Sequence, residues 1–296
     1  MKVIVLGGAG MLGHQVVRRL LVDFPETHWT LRGSRHDPAF GAAPWLRDNR
    51  AIENVDAEDL LGLASILRSH RPHVVINCLG VIKQRPQAMQ FVPSITINSL
   101  LPHKVAEVVQ AWNGRLIHFS TDCVFSGAKG NYTEEDESDA RDLYGRSKFL
   151  GEVASDRCLT LRTSIIGPEL RHHHSLLDWF LAQSGRTVRG FTRHWWSGVT
   201  TVHLADVTAR IVQDLPELSG LYQVSSGRTS KYELLEQIRV AFDANVEVVP
   251  DDVPFCDRSL HGDKFTAATG YVAPPWSTLL RDLAASRSTT KSFQHR

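Results

Sequence analysis

Two kinds of hydrophobic pattern alternate along residues 1–166. Short runs rich in Val, Ile and Leu, such as KVIVL at 2–6 and HVVINCLG at 73–80, are typical of parallel strands buried on both faces. Between them, apolar residues recur at helical spacing in MLGHQVVRRLLV at 11–22 and DAEDLLGLASILRSH at 56–70. A further long helix is predicted over roughly 94–113. This repeated strand–helix order predicts an α/β fold, a Rossmann-like doubly wound parallel sheet.

The alternation of strand and helix patterns becomes irregular after residue 166. SLLDWFLAQ at 175–183 and SKYELLEQIRVAF at 230–242 have helical spacing, whereas GLYQVSS at 220–226 and VEVVP at 246–250 are strand candidates. With 296 residues, the chain is long enough for a large core and a second lobe. We therefore expect a smaller C-terminal α/β lobe beside the main sheet.

Composition and charge narrow the functional classes. Lys and Arg number 33 against 32 Asp and Glu, so the formal net charge of +1 gives no support for a nucleic-acid or membrane-surface role. No run approaches the ~18 apolar residues of a membrane span. The four cysteines form no CxxC pair, which favours a reduced compartment over a disulfide framework. We expect a cytoplasmic protein with no nucleic-acid or membrane partner.

A glycine motif follows the first predicted strand. GGAGMLG places Gly7, Gly10 and Gly13 at G-x-x-G-x-x-G spacing between a strand and a helix. Glycines here permit a tight turn and a close approach of the backbone to a pyrophosphate, whose phosphates then face the N–H groups at the helix start. A plain glycine-rich turn is the alternative, but the flanking strand and helix favour a dinucleotide site.

The end of the second predicted strand, HWTLR at 28–32, bears on the choice of cofactor. An acidic residue there would bind the adenosine ribose and favour NAD, but the sequence continues as GSRHD. Ser34 and Arg35 occupy the expected position, and an arginine can pair with a 2′-phosphate. The prediction is therefore NADPH, with NADH left open and a solvated Arg35 as the alternative. Asp56 is either a partner of the adenine amino group or the cap of a helix starting at Ala57.

Two clusters place reactive groups near the same edge of the sheet. HFSTDCVFSG at 118–127 ends a predicted strand at Ser120 and Thr121, whose hydroxyls then lie at the carboxyl edge, where ligands bind in open α/β sheets. In DLYGRSKFLGE at 142–152, Tyr144 and Lys148 are four residues apart and share one helix face. Ordinary turn chemistry explains the first cluster and a lysine covering a half-buried ring explains the second, so neither is diagnostic alone.

In combination these motifs resemble the extended short-chain dehydrogenase/reductase family, and within it the dTDP-4-dehydrorhamnose reductase group of nucleotide-sugar reductases. The resemblance runs through VLGGAGMLG, RPHVVINCLG, TINSL, FSTDCVFSG, GNYTEEDESDARDLYGRSKFLGE and LRTSIIG. It continues through GVTTVHLADVTARIV, GLYQVSSG and PPW, and covers about 270 residues in the same order. It implies NADPH-dependent reduction of a nucleotide-linked 4-keto-6-deoxy sugar in deoxysugar or polysaccharide biosynthesis.

The resemblance also implies roles for single residues. Thr121, Tyr144 and Lys148 match the family's catalytic residues: the tyrosine donates a proton to the substrate carbonyl, the threonine orients that carbonyl, and the lysine holds the nicotinamide ribose. A lysine cation one turn away should lower the tyrosine pKa from its usual value of about 10. We assign cofactor binding to Gly7, Gly10, Met11, Leu12, Gly13, Ser34, Arg35, Asp56, Leu79, Gly80, Tyr144 and Lys148. Substrate contacts are assigned to Lys83, Asp122, Cys123 and Trp196, with a surface position for Lys83 and a core position for Trp196 as the alternatives.

The sequence differs from the family at several positions, and these differences limit which functional roles can be transferred to it. Related 4,6-dehydratases have Glu at the position of Cys123, and without that proton-transfer group we do not expect dehydration. Rhamnose-pathway reductases more often have Tyr there and Trp at Ile165, so the identity of the sugar is left open. In some members a Mg²⁺ ion bridges a dimer through glutamates, one of them in the first helix, which reads GHQVV here. The consecutive histidines at 172–174 lack metal-ligand spacing, and we predict no metal site.

Two interleaved domains are predicted. Residues 1–166 and 200–226 form the dinucleotide-binding domain, and residues 167–199 and 227–296 form the substrate-binding lobe. Two other functions fit the same resemblance: a nucleotide-sugar 4-epimerase, and a non-catalytic NADP-binding regulatory subunit, because the beta subunit of methionine adenosyltransferase resembles this group. A nucleotide sugar is the expected partner, and a homodimer is left open.

Overall fold

The computed structural model describes residues 1–81 and 89–292. Within them the strands are β1 (Val3–Leu6), β2 (His28–Thr30), β3 (Ala51–Ile52), β4 (Val74–Asn77), β5 (Arg115–Thr121), β6 (Cys158–Thr163), β7 (Ile165–Ile166), β8 (Thr187–Phe191), β9 (His194–Trp196), β10 (Val199–Thr200), β11 (Gly220–Gln223), β12 (Thr229–Ser230), β13 (Glu247–Asp251) and β14 (Cys256–Asp257). The α-helices are α1 (Gly13–Asp23), α2 (Leu60–His70), α3 (Phe91–Ile95), α4 (Leu101–Gln110), α5 (Leu143–Leu150), α6 (Leu176–Leu181), α7 (Thr201–Asp214), α8 (Lys231–Ala241), α9 (Asp263–Thr269) and α10 (Trp276–Ser292). In this part of the chain, none of the helices combines the length and the apolar character that crossing a bilayer requires.

Seven parallel strands form the central sheet in the order β11-β6-β5-β4-β1-β2-β3. From β1 the chain adds β2 and β3 on one side and then returns to add β4, β5 and β6 on the other. The order therefore reverses between β1 and β4, whose carboxyl ends flank the position where ligands bind in open α/β sheets. This topology confirms the Rossmann-like, doubly wound fold predicted from the sequence.

Helices cover both faces of the sheet and bury it in two hydrophobic layers. Val3 and Val5 of β1 belong to the layer that includes α1 and α7, whereas Ile4 and Leu6 belong to the layer that includes α2 and α4. Successive side chains of a strand point to opposite faces, so both sets of positions must be apolar when both faces are covered. All four residues of β1 and all four of β4 are buried, which explains why these strands read as short continuous apolar runs.

A third hydrophobic cluster lies among α6, α8, α10 and the short strands around β8. It includes Phe180, Trp196, Leu234 and Leu280. Here β8 pairs with β13, and β9 pairs with β12 and β14, so these strands form small sheets separate from the central one. The buried members come from residues 166–196 and 234–283. The domain boundaries themselves stay predictions.

The helix predicted over 94–113 is divided in the structure. α3 continues into a π-helical segment, Thr96–Leu100, before α4 begins. Asn98 in this segment is buried, and its amide accepts the Val81 N–H at 2.9 Å and donates to the Ser147 hydroxyl at 3.1 Å. The wider turn thus connects the helix to the loop after β4 and to α5, a feature that hydrophobic periodicity does not reveal.

Candidate active site

The turn between β1 and α1 depends on glycine at three positions. Gly7 has a φ of +78°, in the left-handed region that other residues rarely adopt. A Cβ on Gly13 would lie 2.1 Å from the Gly7 carbonyl oxygen, so only glycine lets the helix pack this closely on the turn. A Cβ on Gly10 would meet the same oxygen at 3.3 Å. Gly7 and Gly10 line a cavity, which their lack of side chains leaves open to a ligand.

The N-terminal end of α1 points into the same region. Its N-cap residue, Leu12, makes no side-chain cap, and no acidic side chain lies in the first turn. The N–H groups at this end and the positive end of the helix dipole therefore suit an anion such as a pyrophosphate. Met11 and Leu12 line the cavity beside it.

Two adjoining cavities lie along the carboxyl edge of the sheet. The first has a volume of about 400 Å³ and the second about 360 Å³. Residues that line both are Gly10, Met11, Cys78, Leu79, Gly80, Val81 and Glu169. Because most of these belong to the β1–α1 turn and the loop after β4, the two cavities form one cleft over the point where the strand order reverses. Each volume lies within the ~300–1,000 Å³ of small-molecule and cofactor sites.

Most of the predicted cofactor residues line this cleft. Those that line one or both cavities are Gly7, Gly10, Met11, Leu12, Asp56, Leu79, Gly80, Tyr144 and Lys148. The structure places Gly13 beneath the turn, and Ser34 and Arg35 away from both linings. Three of the predicted substrate residues, Asp122, Cys123 and Trp196, line the second cavity. Lys83 lies outside the described residues, and its role stays a prediction.

At the end of β2 it is Arg32, and not Arg35, that lines the first cavity. Ser34 donates its hydroxyl to Glu53 Oε1 at 2.9 Å, and the Arg35 N–H donates to the same oxygen at 2.7 Å. The Arg35 guanidinium also lies 3.9 Å from the Glu53 carboxylate. Arg32 is exposed and forms no ion pair with any residue that the structure describes. Arg171 also lines this cavity but is paired with Asp37, so Arg32 is the cation best placed for a 2′-phosphate.

Asp56 lines the first cavity and does not cap α2. Its carboxylate accepts the Glu58 N–H at 3.0 Å within a local turn. The helix begins at Leu60 and not at Ala57, because the Asp59 side chain provides the cap by accepting the Gly62 N–H at 2.9 Å. Of the two roles considered for Asp56, contact with the adenine amino group is the one that stays a prediction.

Thr121 and Tyr144 meet where β5 ends and α5 begins. The Thr121 hydroxyl accepts the Cys123 N–H at 3.1 Å, donates to Asp122 Oδ1 at 3.1 Å, and lies near enough to Tyr144 to influence its pKa. Gly145, the next residue in α5, lets the helix start pack closely here, since a Cβ there would lie 2.2 Å from the Cys123 carbonyl oxygen. The structure thus brings these two predicted catalytic side chains to the same cavity.

The pKa of Tyr144 is raised, mainly because its hydroxyl is buried. The Cys123 thiol and the Asp122 carboxylate act in the same direction, whereas the hydrogen bond with Thr121 opposes them. The sequence predicts the reverse, a pKa lowered by the Lys148 cation. That prediction is wrong for this structure, in which burial of the phenol is the largest cause and the Lys148 ammonium is hydrogen-bonded to the Phe119 carbonyl. Tyr144 therefore holds its proton at neutral pH, the state that a proton donor requires.

Lys148 lies buried at the base of the second cavity. Its Nζ donates to the Phe119 carbonyl oxygen at 2.6 Å and lies 3.4 Å from His118 Nε2. Burial lowers the pKa of Lys148 to about 8, although the Glu152 carboxylate and the Cys78 thiol act to raise it. The side chain is therefore a cation at neutral pH and loses that charge as the pH rises through about 8.

Asn77 fixes the tautomer of His118. The Asn77 carbonyl oxygen accepts the Leu79 N–H at 3.1 Å, so its amide nitrogen donates to His118 Nδ1, also at 3.1 Å. A neutral His118 then carries its proton on Nε2, the nitrogen that faces Lys148. Burial lowers the pKa of His118 well below its usual value, with the Lys148 cation as the second cause. The lysine, and not the histidine, thus carries the charge at this point of the cleft.

A buried ion pair holds Glu152 near Lys148. Arg162 donates from Nε and Nη2 to the two Glu152 carboxylate oxygens at 2.8 and 2.7 Å, and the Ser120 hydroxyl donates to one of them at 2.6 Å. Both charged side chains are almost completely buried. The carboxylate so fixed is the largest influence raising the pKa of Lys148, and it keeps the lysine charged in spite of burial.

Trp196 is packed between neighbours at the substrate end of the second cavity. Lys231 Nζ lies over its ring at 3.9 Å from the centroid, and the Trp276 ring packs at 5.2 Å. The indole is 3% exposed, so it offers little open face for a sugar or base to stack on. Lys231 itself lines the cavity, and its position suits contact with a ligand better than that of Trp196.

Residues 169–176 cross the cleft and contribute to both cavities. Glu169 lines both, His172 lines the first and His174 the second. The Glu169 carboxylate accepts the His174 N–H at 2.6 Å, which fixes the path of the segment. His172 and His173 have positive φ values, +70° and +53°. Across residues 1–81 and 89–292, no group of three or more His, Cys, Asp or Glu side chains converges as metal ligands would.

Sequence reasoning missed Arg32 and Lys231 as lining residues. A signal existed for Arg32: Thr30 lines the same cavity, and side chains two apart on an extended segment point to the same side. Lys231 had no such signal, because it begins α8, far along the chain from Thr121 and Tyr144. Only the packing of the small lobe against the sheet brings it to the cleft.

Comparisons with known proteins agree with this geometry. Residues 1–285 match the family model described as RmlD substrate binding domain. The chain is 24% identical to methionine adenosyltransferase 2 subunit beta of Xenopus tropicalis over 259 residues, which cover 81% of this chain and 72% of that protein. It is 27% identical to dTDP-4-dehydrorhamnose reductase of Salmonella typhimurium over 184 residues, which cover 58% of this chain and 60% of that one.

The fold is also similar to solved structures. The dTDP-4-dehydrorhamnose reductase of Bacillus anthracis, solved in complex with NADP, matches with a TM-score of 0.78. The match covers 95% of this chain and 98% of that one at 18% sequence identity, so it supports the fold and not the activity. Together these findings confirm the predicted fold class and the predicted family resemblance.

Proposed function

Because the chain belongs to the RmlD substrate binding domain family, we propose that it is an NAD(P)H-dependent oxidoreductase that reduces the keto group of a nucleotide-linked 4-keto-6-deoxy sugar. The observation that carries this proposal is the placement of Thr121, Tyr144 and Lys148 on one cavity that adjoins the glycine-lined one. Two of the relatives are named dTDP-4-dehydrorhamnose reductase, and one of these was solved with NADP.

The cleft suits a dinucleotide on physical grounds. A pyrophosphate would lie against the N-terminal end of α1, where Gly7 and Gly10 leave the backbone bare and the first turn of the helix carries no acidic side chain. Arg32 would pair with a 2′-phosphate, which favours NADPH and leaves NADH open. Bound NADPH supplies the hydride for the keto carbon. The residues of the chain then have to orient the carbonyl and provide a proton.

Tyr144 is the proposed proton donor. Hydride addition to a ketone leaves an alkoxide, and a donor held within about 3 Å of it protonates the oxygen as charge develops. Burial raises the pKa of Tyr144, so the phenol retains its proton until a strong base forms beside it. The hydroxyl of Thr121, which lines the same cavity as Tyr144, orients the same carbonyl oxygen.

Lys148 is proposed to stabilise the phenolate that Tyr144 leaves behind. With a pKa of about 8, most of the lysine is a cation at neutral pH. A cation in a buried site acts through a low effective dielectric, so its effect on a nearby anion is larger than in water. The Phe119 carbonyl and the Glu152 carboxylate hold this charge in place below the cavity.

A substrate panel tests this proposal. Purified protein is mixed with NADPH and 4-keto-6-deoxy sugars linked to dTDP, UDP or GDP, and the loss of NADPH absorbance is followed. We expect net oxidation of NADPH with at least one nucleotide series. An isomerised sugar with no net NADPH consumption would support a 4-epimerase instead, and NADPH binding without turnover of any substrate would count against a reductase.

The similarity to methionine adenosyltransferase 2 subunit beta favours a second candidate, an NADP-binding regulatory subunit, because it extends over 81% of this chain. The presence of Thr121, Tyr144 and the buried Lys148 in one cavity favours catalysis, since a regulatory role requires none of these groups. Sedimentation with a methionine adenosyltransferase catalytic subunit separates the two functions. A stable complex that alters the partner's kinetics would support regulation.

A further inference from the structure

Lys231 is a cation in the cleft without a carboxylate partner. Its Nζ lies over the Trp196 ring, and its side chain lines the second cavity. It forms no ion pair within the part of the chain that the structure describes. Burial lowers its pKa to about 8, and the Asp122 carboxylate is the main influence that raises it. Burial makes an unpaired charge costly, so an anionic ligand that pairs with Lys231 would be stabilising.

Trp196 holds Lys231 in this position. The indole is 3% exposed and packs against Trp276, whose Nε1 donates to the Gly227 carbonyl at 2.9 Å. An aromatic ring fixed from behind gives the ammonium a preferred site without neutralising it. The capping of α8 adds to this, because the Ser230 side chain accepts the Glu233 N–H at 3.1 Å and fixes the helix start that carries Lys231.

The charges around Lys231 favour an anion. Arg258 lies near enough to lower the pKa of Lys231, and its guanidinium donates to the Phe125 carbonyl at 2.9 Å. His194 is neutral at pH 7, since burial lowers its pKa to about 4, with Lys231 and Arg258 as the further causes. Lys231 and Arg258 are thus close to each other, with the carboxylate of Asp122 acting on both and that of Asp142 also acting on Arg258.

Lys231 lines the second cavity together with Tyr144, Asp122 and Cys123. In a pyranose, C1 and C4 lie at opposite ends of the ring. A sugar whose C4 carbonyl meets Tyr144 therefore directs its C1 diphosphate away from Tyr144, and Lys231 is, among the residues that the structure describes, the lysine besides Lys148 that lines this cavity.

We propose that Lys231, positioned by Trp196, binds the diphosphate of the nucleotide-linked substrate. This assignment rests on the proposed function and adds the residue that recognises the nucleotide end of that substrate. Loss of one charge-assisted contact of this kind weakens binding by roughly 10- to 100-fold. The Kd for NADPH should stay unchanged, because Lys231 does not line the first cavity, where Gly7 and Arg32 lie.

Calorimetric titration of dTDP, UDP and GDP into the NADPH-bound protein tests this proposal. Lys231→Met should raise the Kd of whichever nucleoside diphosphate binds the wild type by roughly 10- to 100-fold, while Lys231→Arg keeps most of the affinity. The matched control is Lys264→Met, which removes a lysine placed over the Tyr222 ring and outside both cavity linings. Circular dichroism and an unchanged Kd for NADPH show that each variant is folded.

Two results would overturn the proposal, and only the second would also overturn the proposed substrate class. Equal nucleoside diphosphate affinity in the wild type and Lys231→Met overturns the assignment of Lys231 and leaves the proposed reductase standing. A folded, NADPH-binding wild type with no affinity for any of the three nucleoside diphosphates overturns the nucleotide-linked substrate class, and the assignment of Lys231 with it.

Discussion

The Nζ atom of Lys148 lies 2.6 Å from the carbonyl oxygen of Phe119, two residues before Thr121 on β5. This bond attaches the buried cation of α5 to the strand that ends at Thr121. Every residue of β5 is buried, and the strand pairs with β4 and β6 on its two sides. The cation and phenol of α5 and the hydroxyl of β5 are therefore held by two elements joined at this bond, as a preformed catalytic site requires.

Activity should fall as the pH rises through about 8. The folded protein lowers the pKa of Lys148 to about 8, so its charge is present below that pH and lost above it. If the cation stabilises the phenolate, kcat/KM for NADPH-dependent reduction should decrease about tenfold per pH unit on the alkaline side. Lys231 has a similar pKa, so the profile is also measured in Lys231→Met, where the fall in kcat should persist.

Replacing Glu152 should move that fall to lower pH. The Glu152 carboxylate raises the pKa of Lys148, and Glu152→Gln removes the charge while keeping the shape. The variant leaves Arg162 without its buried partner, so folding is checked by thermal unfolding before the pH profile is recorded. The control is Glu107→Gln, which replaces an exposed acid paired with Lys104 and should leave the pH profile of kcat/KM unchanged. Identical profiles for the wild type and folded Glu152→Gln would contradict this electrostatic role.

Substitutions of Arg32 and Arg35 should affect the Kd of NADPH differently. Arg32 lines the first cavity, whereas Arg35 is held against Glu53. Arg32→Ala should raise the Kd of NADPH by roughly 10- to 100-fold and leave the Kd of NADH nearly unchanged, because only NADPH carries the 2′-phosphate. Arg35→Ala, which removes the same charge three residues away, is the control. A loss specific to NADPH in Arg35→Ala and not in Arg32→Ala would support the original assignment from sequence.

Gly10→Ala should abolish cofactor binding without preventing folding. The new Cβ would meet the Gly7 carbonyl oxygen at 3.3 Å, which a shift of a few tenths of an ångström relieves, but its methyl group would enter the cavity. Gly227→Ala is the control, since nothing lies within 4 Å of a Cβ at that position. Fluorescence titration with NADPH measures binding, and wild-type affinity in Gly10→Ala would argue against a pyrophosphate at this turn.

Local sequence patterns were sufficient for the sheet, the glycine turn and the Tyr144 helix. Each depends on residues close together in the chain: a buried strand on its own apolar run, the turn on three glycines, and the shared face of Tyr144 and Lys148 on one helical turn. The π-helical segment around Asn98 was not predictable in this way, because its stabilising partners are Val81 and Ser147.

Long-range packing decides the features that the sequence did not predict. The direction of the Tyr144 pKa shift follows from burial by distant elements and from the bond that Lys148 makes with Phe119. Arg32 reaches the first cavity because the chain stays extended after Thr30, while the backbone N–H of Arg35 is bound by Glu53, beyond β3. Lys231 enters the cleft only through the fold of the small lobe.

The rate of ketone reduction by Tyr144→Phe is the most direct test of Tyr144 as the proton donor. The substitution keeps the ring and its packing and removes the proton that the alkoxide needs. With saturating NADPH and a substrate that the wild type reduces, kcat should fall by roughly 10²–10⁴, the usual contribution of a positioned acid, while the Kd of NADPH and the unfolding temperature stay the same. A folded, NADPH-binding Tyr144→Phe protein that reduced the ketone at nearly the wild-type rate would contradict the assignment of Tyr144 as the proton donor.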